Sequence, residues 1–412
     1  MALNKLQQEG LDMLDLSKGG GFINFISNQK RLETQEHKFL FVGLGGKGSA
    51  TIARLKTEAC RQFELEGGKK RPKNFEYLAI DTDMPHLDDL ARPKYGEIGL
   101  SNETGDNELC QLYDADAAKR LRAENRHLIP SNILEWMNPT MNQELVGNGA
   151  GGIRQAGRYL LFGESAFMRV ERALKAKLTN LHNQITKPDK EMLIIYIFAG
   201  VGGGTGSGIL IDIPYIIRKI CDERGWKHKI SGYIYLADTY PEPAPQQRLQ
   251  YNSYAALKEI DYFMNIGNMD GSGKFKAKYS PEFEVDTCEK IFDICVLISG
   301  KTAGHGSVPR PDIFCQRVVV DNVINLVKKN NTTEGFLIDS FLDNSLIDIQ
   351  NKISILGEKV PRNANYQYNV IGLGAVNLPL EQIFSYMSYH TCRMMQEAWD
   401  VHPSQRNVEE LL

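Results

Sequence analysis

Six glycines fall within ten residues at positions 199–208, and this run points more clearly to chemistry than any other part of the sequence. Thr205 and Ser207 add hydroxyl groups to it, an apolar β-branched segment (193–198) precedes it, and a segment suited to a helix (209–217) follows. A strand, a glycine loop and a helix in this order bring backbone N–H groups to a helix N-terminus, where an anion is stabilised. Since glycine has no Cβ, the main chain can approach a phosphate closely. We therefore predict that residues 200–208, the third glycine loop, hold a phosphate rather than form a flexible turn.

Two further glycine-rich segments have similar surroundings. The first glycine loop, residues 43–48, follows a strand candidate over 38–42 and satisfies the pattern G-x-G-x-x-G of dinucleotide-binding folds. The second glycine loop, residues 147–152, leads to Arg158 and a predicted helix over 159–177. Its alternative is a long glycine-rich connection without a ligand. A single dinucleotide-binding fold uses fewer than three loops of this kind.

A strand candidate over 75–80 ends in two carboxylates, Asp81 and Asp83. In NAD-binding folds an acidic residue roughly 20 positions beyond the glycines holds the ribose. Asp81 comes 33 positions after Gly48, which departs from that spacing. An NAD-binding oxidoreductase therefore stays an alternative that uses the first glycine loop and Asp81 and leaves the other two loops unexplained.

Charge, cysteine and histidine content exclude several classes of function. The 48 lysines and arginines nearly balance the 51 aspartates and glutamates, so direct binding to nucleic acid is not predicted. Seven cysteines without a CxxC pair favour a reducing, cytoplasmic location. The eight histidines form no HExxH motif, so no metal held by protein ligands is predicted.

The elements that must position these loops alternate between strand and helix over the first 300 residues. This order is typical of an α/β protein whose parallel sheet is covered by helices on both faces. We predict a Rossmann-like nucleotide-binding domain over 37–310, preceded by a polar N-terminal extension over 1–36. A long central helix is predicted within 311–332, followed by a smaller second α/β domain, reduced or cut short, over 333–412. Residues 266–288 are predicted to be a loop.

The sequences of the glycine loops and their order along the chain resemble those of the tubulin/FtsZ superfamily. Residues 202–208 match that family's signature, GGGTG[ST]G, in full. Residues 79–83 are similar to its A-I-N-T-D motif, with Asp81 in place of asparagine. Lys47 stands where FtsZ proteins usually carry glycine, and Tyr251-Asn252-Ser253 resembles the tubulin sequence P-Y-N-S.

The resemblance implies GTP or GDP as the nucleotide, with Mg²⁺ held through its phosphates. Arg158 matches the arginine that follows the family's γ-phosphate loop. Gln155 occupies the position of the family's ribose-contacting glutamate, and Asn252 that of its guanine-contacting asparagine. Phe314 lies where a base-stacking aromatic ring is expected. The nucleotide-binding residues expected on this basis are Gly45, Gly46, Lys47, Gly48, Asp81, Gly149, Ala150, Gly151, Gly152, Gln155, Arg158, Gly203, Gly204, Thr205, Gly206, Ser207, Asn252 and Phe314.

Two aspartates beyond the central helix are the expected catalytic residues. Residues 335–343 are similar to the family's acidic loop, with Asp343 in register and Asp339 displaced by one position. A helix of about 18 residues is roughly 27 Å long, so these carboxylates cannot reach a nucleotide bound at its start in the same molecule. Head-to-tail stacking would bring them to the neighbour's γ-phosphate and would propagate a filament. The alternative for both aspartates is a solvated turn or a helix cap.

The sequence thus predicts a GTPase that polymerises head to tail into dynamic cytoskeletal filaments, with hydrolysis completed by the neighbouring subunit. A nucleotide-binding regulatory or scaffold module that never polymerises is the alternative, which the irregular acidic loop favours. The expected partner is a second copy of the chain, and an adaptor or membrane-linked partner stays open.

Overall fold

The computed structural model describes residues 33–34, 36–65, 71–93, 96–138, 140–142, 145–241, 245–266, 273–301, 306, 308, 310–328, 368–370 and 380–400. The chain forms two compact units, Met1–Ile371 and Gly372–Leu412. The first unit contains the sheet and the three glycine loops. In the second unit, the described residues form one helix, Leu380–Asp400.

A parallel sheet forms the centre of the first unit. Its strands are β1 (Lys38–Leu44), β2 (Phe75–Asp81), β3 (Leu109–Gln111), β4 (Leu193–Gly200), β5 (His228–Tyr235), β8 (Ile294–Ile298) and β9 (Tyr368–Val370), and the hairpin strands β6 (Phe275–Ser280) and β7 (Phe283–Thr287) lie outside it. The described part of the sheet has seven strands in the order β3-β2-β1-β4-β5-β8-β9, and every pairing is parallel. The chain winds from β1 out to β3 and returns to place β4 beside β1. The winding direction therefore reverses between β1 and β4, and ligands in such sheets bind beyond the carboxyl ends of the strands at this point.

Helices cover both faces of the sheet, as predicted. They are α1 (Gly45–Gln62), α2 (Met84–Ala91), α3 (Ala115–Arg120), α4 (Ser131–Leu134), α5 (Arg154–Leu161), α6 (Glu164–His182), α7 (Thr205–Ile209), α8 (Asp212–Asp222), α9 (Gln246–Met264) and α10 (Pro311–Val327), and the second unit holds α11 (Leu380–Asp400). None of the described helices is both long enough and apolar enough to cross a membrane.

Strands β1 and β4 are mostly apolar because both of their faces are buried. Along β1, alternate side chains point to opposite faces of the sheet. Leu40 and Val42 join the core cluster that includes residues of α5, α6 and α8. Phe39 and Phe41 join the second cluster, to which α1 and α10 contribute. The α/β architecture expected from the sequence is thus confirmed.

Two local predictions are wrong. Residues 266–288 contain the β6–β7 hairpin instead of a loop, with Phe275, Ala277 and Tyr279 buried and the residues between them exposed. The single helix expected over 159–177 is two helices that break at Gly163. A Cβ at Gly163 would lie 2.5 Å from the Cβ of Asp114, and the Asp114 carboxylate accepts hydrogen bonds from the backbone N–H (3.0 Å) and hydroxyl (2.6 Å) of Ser165. The start of α6 is therefore fixed by a residue of another segment.

A group of buried ion pairs joins α1, β2, α6 and the segment before β3. Lys56 donates to Glu108 at 2.6 Å, with side chains 2% and 0% exposed. Lys177 donates to Glu76 at 2.8 Å, and Arg71 also contacts Glu76 at 2.9 Å. Burial raises the pKa of Glu108. Because these charges are removed from water, each depends on its partner for compensation.

Candidate functional site

The first and third glycine loops touch each other beyond the carboxyl ends of β1 and β4. Gly45 begins α1 with a φ of +65°, and a Cβ there would lie 2.5 Å from the backbone nitrogen of Gly206. A Cβ at Gly48 would lie 2.0 Å from the carbonyl oxygen of Phe198, near the end of β4. Both positions therefore need glycine, since two backbones pass at contact distance. The N-terminal turn of α1 is thereby held beside the third glycine loop.

The second glycine loop lies against the end of β2. The backbone nitrogen of Gly149 donates to the carbonyl oxygen of Thr82 at 3.3 Å, and that of Met84 donates to Gly147 at 3.0 Å. Asp83 and Asn148 form an antiparallel bridge between these contacts. The three glycine loops, which are far apart in sequence, thus meet at one edge of the sheet.

Side chains tie the three loops together. The hydroxyl oxygens of Thr82 and Thr205 lie 2.5 Å apart, and both residues are buried. The amide nitrogen of Asn252 donates to the carbonyl oxygens of Gly152 at 3.0 Å and Gly202 at 2.8 Å. Asn252 was predicted to contact the base, whereas these bonds use its amide nitrogen to join the second and third glycine loops.

Asp81 is buried at the end of β2 and accepts three hydrogen bonds. They come from the backbone nitrogens of Thr82 (2.8 Å) and Asp83 (3.4 Å) and from Nδ1 of His86 (3.2 Å). The hydrogen bond to Asp81 raises the pKa of His86. A Cβ at Gly46 would lie 3.8 Å from the Asp81 carboxylate. Asp81, a predicted site residue, therefore borders the N-terminal turn of α1.

Lys47 lies on the other side of that turn. Its ammonium group donates to the carbonyl oxygen of Thr239 at 2.6 Å and lies 4.9 Å from the centre of the Tyr240 ring. Burial lowers the pKa of Lys47 to about 8, although the charges of Asp312 and Cys315 act in the opposite direction. Lys47 thus has a protein partner, and its contact with a phosphate stays a prediction.

Two predicted ligand residues of α5 also have protein partners. Arg158 forms a two-point ion pair with the buried Asp212, at 2.9 and 3.0 Å, and its guanidinium lies over the ring of Trp136. Gln155 donates to the carbonyl oxygen of Trp136 at 2.8 Å and accepts from the backbone nitrogen of Asn138 at 3.0 Å. These contacts hold the segment before the second glycine loop, and the ligand roles of Arg158 and Gln155 stay predictions without a supporting contact.

A family model described as "tubulin like" matches residues 40–397, which is most of the chain. The chain belongs to the tubulin-like family. The resemblance that the glycine loops suggested is thereby confirmed. No curated protein matches this chain.

Solved structures of tubulin-like proteins match at low identity. A point mutant of FtsZ from M. jannaschii is 17% identical, with 87% of this chain and 70% of that chain covered and a TM-score of 0.40. CetZ2 from Haloferax volcanii, a GTPγS-bound protofilament, is 17% identical over 75% of this chain and 63% of its own, with a TM-score of 0.41. A GTPγS-form protofilament of TubZ from Bacillus thuringiensis serovar israelensis is 13% identical over 73% and 59%, with a TM-score of 0.38. The chain thus spans less than two thirds of the CetZ2 and TubZ chains, and likeness at this level carries no argument about activity.

Phe314 lies on the first turn of α10 and is 46% exposed. Val318, one turn on, is buried. The predicted catalytic residues Asp339 and Asp343 lie outside the described residues. Phe314 therefore has an accessible ring at the start of the central helix, and the stacking role expected from the tubulin-like resemblance stays a prediction.

Sequence reasoning missed several side chains that contact the loops. The Tyr240 hydroxyl accepts from the backbone nitrogen of Gly203 at 3.1 Å, and Arg248 donates to the carbonyl oxygen of Gly151 at 3.2 Å. Arg154 donates to the Ser207 hydroxyl at 2.7 Å. These residues follow no motif in the sequence, because each reaches its loop from an element that is distant along the chain.

Proposed function

We propose that this tubulin-like chain binds GTP on the three glycine loops and hydrolyses it within a head-to-tail filament. The observation that supports this most is the meeting of the loops where the winding of the sheet reverses, since backbone N–H groups at helix starts are suited to phosphates. In the proposal, Mg²⁺ is held through the phosphates. Membership of a family of GTPases supports the choice of a nucleoside triphosphate.

Hydrolysis in this proposal needs a second subunit. Phosphoryl transfer depends mainly on positioning and charge stabilisation, and the attacking water must be oriented by a polar group. Asp339 and Asp343 follow the central helix, whose described part, α10, has 17 residues. Such a helix is about 26 Å long. We assign the two aspartates to the γ-phosphate of the next subunit, so the active site is complete only in the polymer.

The experiment compares pelleting and light scattering of the full chain in GTP, in GDP and without nucleotide, each with Mg²⁺. Pelleting that needs GTP supports the filament. GTP binding without pelleting contradicts the filament and favours a regulatory or scaffold module. A parallel NADH fluorescence titration is expected to show no binding, and saturable NADH binding would instead support an oxidoreductase.

A further inference from the structure

His86, on the first turns of α2, lies directly beside the N-terminal turn of α1. A Cβ at Gly46 would lie 3.7 Å from Cε1 of His86 and 3.9 Å from its Nδ1. The imidazole is 30% exposed, and its Nδ1 is bonded to Asp81. Nε2 makes no hydrogen bond with the residues that the structure describes. The Cε1–Nδ1 edge of the ring therefore borders Gly46 and is held by Asp81, while Nε2, the ring atom next to Cε1, is available to a ligand.

Other cationic side chains around the glycine loops already have protein partners. Lys47 donates to the Thr239 carbonyl, Arg154 to Ser207, and Arg248 to the Gly151 carbonyl. Arg158 is paired with Asp212. A triphosphate bound at the loops would bring several negative charges to a region where these cations are engaged. A cationic side chain with a hydrogen-bond donor still available to the ligand would strengthen such binding.

We propose that His86, oriented by Asp81, donates a hydrogen bond from Nε2 to a phosphate of the bound nucleotide, and does so only when its imidazole is protonated. The inference rests on the proposed nucleotide site and adds a residue of this chain that binds and positions the phosphates. The chemistry follows from the ring. A neutral imidazole that donates from Nδ1 to a carboxylate has an accepting Nε2, which repels a phosphate oxygen, whereas imidazolium donates from both nitrogens.

The charged groups that face His86 come from two elements. Asp81 at the end of β2, together with Asp83 and Asp89 of the α2 region, raises the pKa of His86. From α1 the neighbouring residue is Gly46, which has no ionisable side chain. All three acidic groups favour imidazolium, so the donating form persists above the ordinary histidine pKa of about 6.5. Nucleotide affinity should then fall as the pH rises through the pKa of His86.

The test is calorimetric titration of the full chain with GTPγS and Mg²⁺ between pH 6 and 8.5, in buffers that differ in ionisation enthalpy. The wild type should lose about tenfold in affinity across this range and should take up a proton on binding at the upper end. His86→Gln should bind about tenfold more weakly at pH 6 and should lose the part of the pH dependence and of the proton uptake that exceeds the contribution of the nucleotide's own γ-phosphate. His86→Lys, which keeps a charge through this range, should bind with only the pH dependence that the γ-phosphate contributes.

His182→Gln is the matched control, since His182 ends α6 and stacks on Trp226, away from the glycine loops. The γ-phosphate also titrates near pH 6, and this contribution is shared by every variant. If His86→Gln binds like the wild type at every pH with the same proton uptake, the inference is wrong while the proposed nucleotide site stands. If the wild type binds no GTPγS at any pH, the proposed function itself fails.

Discussion

The hydroxyl groups of Thr82 and Thr205 meet at 2.5 Å in the interior, one from the turn after β2 and the other from the start of α7. This bond links the segment that carries Asp81 to the third glycine loop. Thr82→Val keeps the shape of the side chain but leaves the Thr205 hydroxyl without this partner. We expect unfolding free energy to fall by about 1–3 kcal/mol in denaturant titration, and affinity for GTPγS to fall with it. Unchanged stability would show that the bond does not hold the two loops together.

Substitution of Asn252 distinguishes a structural role in connecting two glycine loops from a role in recognising the base. In the structure its amide nitrogen bonds the carbonyls of Gly152 and Gly202, so Asn252→Ala should weaken binding of GTP and of ATP by a similar factor. A direct contact with guanine would instead make the loss larger for GTP. Asn265→Ala is the control, because Asn265 lies at the C-terminal end of α9 and its side chain bonds Asp261. Competition of both nucleotides against a fluorescent GTP analogue measures the two affinities.

Substitutions at two glycines in the first turn of α1 distinguish an effect on nucleotide binding from an effect on folding. A methyl group at Gly46 meets its nearest atom at 3.7 Å and fits, whereas at Gly48 it would collide with the Phe198 carbonyl at 2.0 Å. Gly46→Ala should therefore keep the melting temperature while weakening GTPγS about tenfold, because the methyl borders the phosphate surface. Gly48→Ala should lower the melting temperature or prevent folding. Tight nucleotide binding by Gly46→Ala would place the phosphates elsewhere.

Removal of one partner of the buried Lys56–Glu108 pair should be costly. Lys56→Met removes the nearer cation of the buried Glu108 carboxylate, which keeps Arg71 at 3.4 Å and the backbone N–H of Ser101 at 2.7 Å, and we expect a loss of about 3 kcal/mol in unfolding free energy. The control is Lys119→Met, since the Lys119 and Asp116 side chains are 69% and 78% exposed. That change should cost less than about 1 kcal/mol. Equal losses in the two variants would contradict the proposed dependence of the core on this pair.

Strands and glycine loops could be predicted from the sequence because each depends on a short contiguous segment of residues. The strands 38–44 and 193–200 are mostly apolar segments, and each glycine loop lies beside the start of a helix. The meeting of the glycine loops at the carboxyl ends of parallel strands is expected from those segments. The hairpin over 275–287 was missed because the glycines and lysines between 266 and 278 suggested a loop, although Phe275, Ala277 and Tyr279 alternate with polar residues as in a half-buried strand.

The directions of side chains could not be predicted, because their partners are remote in sequence. Arg158 pairs with Asp212, 54 residues away, and Lys47 bonds Thr239, 192 residues away. Nothing in the glycine motifs indicates these contacts. His86 was overlooked for the opposite reason, since a lone histidine after a strand carries no motif, although its partner Asp81 is five residues away.

The most direct test of an active site completed by the next subunit is phosphate release from GTP, per subunit, as a function of total protein concentration. We expect release to be close to zero at high dilution and to rise above the concentration at which pelletable polymer forms. Asp343→Ala should still bind GTP and pellet while releasing no phosphate. A rate per subunit that is the same at every dilution, or full turnover in Asp343→Ala, would contradict the account.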